Sequence, residues 1–361
     1  MSHGQKFSAV LFLALAVFTG FLPFAFPQTC LQALQEGLTL CGGSLLLSLF
    51  PFLVVSSLMI QCPAGEWLSL PFRPVAQIIG FQDPCAARVL MIGFLGGFAP
   101  AASAAAEAVR SGQMSAEDAD ALLPACVCSG PSFVILTVGQ NLLGSVELGV
   151  CLFAAQLLAG YLSAAVLRRI APRPKPHALP KETASLPTIR LDAVLATATQ
   201  TYLKLCGFVL YFRMLAAGMG RLFRPEVGLF GAMLLEVCSG CSMAARTGFW
   251  ASSLCCASLS LQGLSVLLQV RTICPAEMSL RPLYRARLLH LPLSLALFYL
   301  LLPEGEQSVF STLCSRVVVM KRIPPDCALL VFAACCITTS ELTKTLLRHN
   351  FKKAENVCRN Q

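Results

Sequence analysis

Glu236 is the residue best able to do chemistry. It sits in Gly231-Ala-Met-Leu-Leu-Glu-Val-Cys-Ser-Gly240, deep in an apolar run. An ionisable group at membrane depth is costly and marks a functional site by default. Such a carboxylate can hold a cation or proton, or accept hydrogen bonds from a polar ligand beside Ser239. A structural ion pair with Arg213 or Lys204 is the competing role, and both roles stay open at this point. Ser258, Gln262, Ser265 and Gln269 follow at the spacing of one helix face. A polar stripe on an apolar helix lines a cavity or hydrogen-bonds to a neighbouring helix.

The second constellation is Ser129-Gly130-Pro131-Ser132-Phe133, which interrupts an apolar run that ends at Gln140 and Asn141. Unwound backbone at membrane depth must be buried in protein or line a cavity. Ser129, Pro131, Gln140 and Asn141 are therefore expected to help hold a polar substrate. Metal chemistry is not expected. Cys238-Ser-Gly-Cys241 is a lone C-x-x-C, and a structural zinc site needs four ligands. The histidines at 3, 177, 290 and 349 are scattered. No H-E-x-x-H, phosphate-binding loop or G-x-S-x-G is present. The chain reads as a non-enzyme without a cofactor.

The elements that must position these residues follow from composition. The 361 residues are 56% apolar and 12% charged, with a mean hydropathy of +0.71. Soluble domains carry about 25% charged residues. An ordinary cytosolic enzyme and a disordered chain are thereby excluded. The expected fold is an all-α polytopic membrane helix bundle, about eight transmembrane helices plus two re-entrant or broken helices. The N-terminal membrane half covers 1–167, with spans near 7–26, 38–60, 88–107 and 146–167 and a re-entrant segment at 122–141. The C-terminal half covers 191–343, with spans near 191–223, 249–270, 288–302 and 325–343 and a re-entrant segment at 227–245. Each half thus reads as span, broken segment, span, the pattern of an internal two-fold repeat with its site at discontinuous helices.

Between the halves, 168–190 holds five prolines and six Lys or Arg, an extended basic linker. Residues 344–361 form a basic tail. The formal charge of +9 follows the positive-inside rule. Linker, tail and both termini are expected on the cytoplasmic side of the cell membrane. No basic stripe interleaved with aromatics is present, so nucleic acid is not an expected partner. The 18 cysteines mostly sit in apolar runs, where they act as small hydrophobes.

The order of motifs resembles a known family. Gly96-Gly-Phe-Ala-Pro-Ala-Ala102, then Gly112-Gln-Met-Ser115 with an acidic helix, then Ser129-Gly-Pro-Ser-Phe-Val-Ile135, are similar to the sporulation integral membrane protein YlbJ family. Leu234-Leu-Glu-Val-Cys-Ser-Gly240 and Leu261-Gln-Gly-Leu-Ser-Val-Leu-Leu-Gln269 agree with it. The likeness runs over roughly residues 40–300 and belongs with the nucleoside-recognition (Gate-type) membrane proteins. It implies a multi-pass protein of endospore formation that binds or moves a small polar, nucleoside-like solute, with a cation or proton as coupling ion. A membrane scaffold for spore-envelope assembly is the other expected role. Its linker and basic tail would then contact partners or anionic lipid.

Overall fold

The computed structural model describes residues 3–62, 65–170 and 190–302. The chain divides into two compact units, Met1–Ser311 and Thr312–Gln361. The expected span 325–343 and tail 344–361 lie outside the described residues, as does most of the linker.

Among the described residues every regular element is helical. In chain order they are α1 (His3–Ala25), α2 (Pro27–Gly42), α3 (Ser44–Gln61), α4 (Gly65–Leu68), α5 (Arg73–Ile79), α6 (Pro84–Gly96), α7 (Phe98–Arg110) and α8 (Ala116–Cys126). A π-type helix (Ser132–Leu142) and α9 (Val146–Ile170) complete the first half. The second contains α10 (Leu191–Leu222), α11 (Pro225–Leu235), α12 (Val237–Ala244), α13 (Ala251–Leu261), α14 (Gly263–Ile273) and α15 (Arg281–Leu301). Ser115 caps α8, its hydroxyl accepting from the Asp118 amide at 3.1 Å. Arg168 then ties the end of α9 to Asp118 at 2.6 Å, so it belongs to a helix rather than to the linker.

Among the described residues, three helices are long and apolar enough to cross a membrane: Val146–Ile170, Leu191–Leu222 and Gly248–Ile273. The number rises to five if two sharply bent pairs, Phe12–Ala25 with Pro27–Gly42 and Leu70–Ile79 with Pro84–Gly96, each count as one span. The expected continuous span at 38–60 is interrupted at Gly42-Gly43, between α2 and α3. The expected span at 88–107 is two helices that fold back on each other. Arg88, near the start of α6, donates to the Gln113 side chain at 2.6 Å, just beyond the end of α7, so α6 and α7 form a hairpin. The α11–α12 pair does the same. A Cβ on Gly228 of α11 would lie 3.8 Å from the Met243 methyl of α12.

The breaks touch. Gly97, between α6 and α7, has φ 79° and ψ −160°, a conformation almost confined to glycine. A Cβ there would stand 2.5 Å from the Gly130 nitrogen. The bend of the α6–α7 hairpin therefore rests on the backbone break between α8 and the π-type helix. The second half makes the same kind of contact. Gln262 and Gly263, between α13 and α14, have φ 60° and 68°. A Cβ on Gly263 would stand 2.9 Å from the Glu236 nitrogen, at the bend of the α11–α12 hairpin. Backbone can approach backbone this closely only where a side chain is missing. Around the two crossings, α3 packs on α10, α9 on α15, α7 on α14, and α12 on the π-type helix.

Candidate functional site

Both crossings open on one cavity. Its atom-free space is about 590 Å³, counting its mouth, and its walls are mostly apolar. Ser129 and Gly130 come from the first break, Phe98 from the turn after Gly97, Glu236 from the second hairpin, and Gln269 from α14. The sides are closed by Cys41, α3 residues such as Leu45 and Leu49, and Tyr202, Cys206 and Val209 of α10. The Tyr202 hydroxyl donates to the Cys41 carbonyl and fixes that wall.

Glu236 is 2% exposed. Its backbone is extended, with φ −152° and ψ 125°, so it breaks the helix and turns its side chain onto the next one. The carboxylate accepts from the Cys238 amide at 2.7 Å and from the Ser239 amide at 2.6 Å. It is the N-cap of α12, where a negative charge meets the positive end of the helix dipole. Among the described residues no Lys or Arg forms an ion pair with it. Each oxygen takes one backbone donor and keeps capacity for another. The site can therefore accept bonds from hydroxyl, amide or ammonium groups, or hold a proton or cation.

The expected ion-pair partners are elsewhere. Arg213 pairs with Glu36 of α2 at 2.6 Å, and Lys204 is exposed in a groove shared with Arg110. Glu236 and Arg213 lie 23 positions apart on different helices, and a nearer carboxylate takes the guanidinium.

The structure joins some of the expected substrate residues and separates others. Glu236, Ser129 and Gln269 share the cavity. Ser265 stands behind Gln269 and accepts from its amide at 2.9 Å. Ser239 faces a different cavity, beside Arg213 and Arg246. Pro131, Gln140 and Asn141 are not among the lining residues, and Asn141 is exposed. The left-handed turn at Gln262 breaks the expected single polar face. Ser258 packs against α12, its hydroxyl reaching the Val237 carbonyl at 3.4 Å. Gln262 is 0% exposed, and neither of its amide atoms has a partner among the described residues.

Two buried ionic residues escaped sequence reasoning. Arg287 falls just ahead of the expected span at 288–302. It lies inside α15 instead, 8% exposed. It donates to the Val127 carbonyl at 2.5 Å and to the Ser260 carbonyl at 3.3 Å. These carbonyls terminate α8 and α13, so one cation satisfies the negative ends of both half-helices. The signal was present in the spacing: Leu283, Ala286, Arg287, His290, Ser294 and Phe298 form one buried helix face. Asp120 is 6% exposed and accepts from the Ser279 amide and hydroxyl at 2.7 Å and 2.8 Å. It pins the turn before α15 to α8, and nothing in the local sequence announces that.

These features define a helical integral membrane protein whose interior site is built at interrupted helices. Among curated proteins, the chain is similar to Sporulation integral membrane protein YlbJ of Bacillus subtilis (strain 168), 23% identical over 195 residues. The alignment covers 54% of this chain and 48% of that protein, so the chain spans about half the length of the curated relative it matches. No family model matches the chain, and no solved structure does.

Proposed function

We propose that this chain is a multi-pass membrane protein of endospore formation that binds a small polar solute at Glu236 and moves it across the bilayer. The observation that carries the reading is the cavity common to both crossings, with a buried carboxylate in its wall that has no basic partner among the described residues. The likeness to a protein named for sporulation and membrane integration supplies the biological setting.

The same reading takes α10–α15 as an inverted copy of α3–α9 within a bundle of about eight spans. Each copy then has a helix, a hairpin, a broken helix and a closing helix. α3 runs from the cavity to Gln61, near Glu107 and Arg110. α10 starts at that same end, where Thr197 and Lys204 share a groove with Arg110. The first helices of the two copies are thus antiparallel, as an inverted repeat requires. Charge on the linker sets that end, and both chain termini, on the cytoplasmic side. A proton or cation at Glu236 serves as coupling ion, no cofactor takes part, and the protein catalyses no covalent step.

The test is ligand-dependent thermal stabilisation of the purified protein, screened over nucleosides, nucleobases, amino acids and cell-wall precursors. Glu236→Gln is run in parallel. A compound that stabilises the wild type and not the variant supports the site and selects the solute for uptake assays. A well-folded wild type that no compound stabilises would sink the reading.

A further inference from the structure

A second cavity lies on the other side of α12 from Glu236. Its atom-free space is about 660 Å³, counting the open solvent at its mouth, and its walls come from α2, the later part of α10 and α12. Arg213, Arg246, Ser239 and Ser242 face it, with Thr29 and Gln32 opposite. Glu36 is the carboxylate in its wall, paired with Arg213. Arg221 adds a further cation behind Thr29, to which it donates at 3.2 Å.

Two buried donors here have no partner among the described residues. Ser239 is 8% exposed, and its hydroxyl is unbonded. Arg213 uses one terminal nitrogen on Glu36 and leaves its Nε unbonded. A buried polar group without a partner is costly and favours a ligand that supplies one. Two of them beside an exposed arginine form a cradle of donors. Three arginines against one carboxylate give it positive charge. They lie at the end of α10 away from the linker.

We propose that this cavity binds a small oxyanion, a phosphate carried by a free solute or by a lipid headgroup. The guanidinium fork of Arg246 and the free edge of Arg213 match phosphate geometry, and the Ser239 hydroxyl supplies a third donor. The site is separate from the solute cavity and does not depend on that reading.

The experiment titrates inorganic phosphate against chloride at equal ionic strength, with thermal unfolding of the purified full chain as readout. A parallel arm compares nanodiscs of phosphatidylglycerol and phosphatidylcholine. Saturable stabilisation of the wild type by phosphate is expected. Arg246→Gln, at an exposed position, raises the half-saturating concentration about tenfold, the factor for one lost charge-assisted bond. Ser239→Ala weakens binding in the same direction. Glu36→Gln removes the carboxylate that competes for Arg213 and tightens binding, a gain that misfolding cannot produce. Lys204→Gln, in the separate groove beside Arg110, leaves the response unchanged. If phosphate alone has no effect but phosphatidylglycerol stabilises the wild type and not Arg246→Gln, the headgroup is the source. Equal response of wild type and Arg246→Gln in both arms, or no response in either, overturns the proposal. Loss of the response in Lys204→Gln shows a general charge effect and overturns the site.

Discussion

Gly97→Ala tests the claim that helix breaks in direct backbone contact organise the interior. Two costs add at this position. The backbone at φ 79° and ψ −160° is strained for any residue with a Cβ, by about 1–3 kcal/mol. The added methyl would stand 2.5 Å from the Gly130 nitrogen and 2.9 Å from its Cα. Both are backbone atoms of the opposing break and cannot rotate away. Overpacking of this kind costs about 1–3 kcal/mol. The expected loss is therefore about 2–6 kcal/mol. Gly112→Ala is the control, because Gly112 has φ 68° with nothing within 4 Å of the added methyl. It incurs only the left-handed strain, about 1–2 kcal/mol. Thermal unfolding of both variants in the same detergent should separate them by about 5 °C, taking about 2 °C per kcal/mol for a chain of this size. Gly97→Ala should also lose any solute-dependent stabilisation, because Ser129 and Gly130 move with the crossing. Equal melting temperatures for the two variants would refute the contact.

Glu236→Ala should destabilise more than Glu236→Gln. It orphans two buried amides at about 1–3 kcal/mol each, whereas Gln keeps one acceptor; reversal of that order in denaturant titrations would rule out the cap. Arg287→Met should cost about 2–6 kcal/mol by orphaning the Val127 and Ser260 carbonyls, and a near-neutral melting curve would show that those helix ends need no cation. A double-mutant cycle between Arg213 and Glu36 should give a coupling of about 0.2–1 kcal/mol, because Glu36 is 48% exposed. The same cycle between Arg213 and Glu236 should give a smaller one, and a larger value there would restore the expected pairing.

The sequence by itself determined the class and two of the places where helices break, at Ser129–Pro131 and around Glu236. Low charge and high hydropathy demand internally satisfied backbone, which only helices or closed barrels provide. Gly130-Pro131 cannot continue an α-helix smoothly, and Glu236 in an apolar run has to be buried or functional. Those signals are local, and they located Ser129, Glu236 and Gln269 of the cavity. Only the tertiary structure decided which breaks touch and which side chains share a space. Gln262 carries no local warning of a left-handed backbone; a break there lets α13 and α14 pass the backbone at Glu236. The hairpin at Gly97 was hidden because Gly-Gly inside an apolar run suits a continuous packed helix equally well. Pairing was equally out of reach, since Arg213 had two distant carboxylates to choose from and the approach of α2 to α10 selected Glu36. Arg287 shows the limit most plainly. Its charge left it outside the expected span at 288–302, but a cation is stable at depth when two helix ends offer it their carbonyls, and that arrangement exists only after the chain has folded.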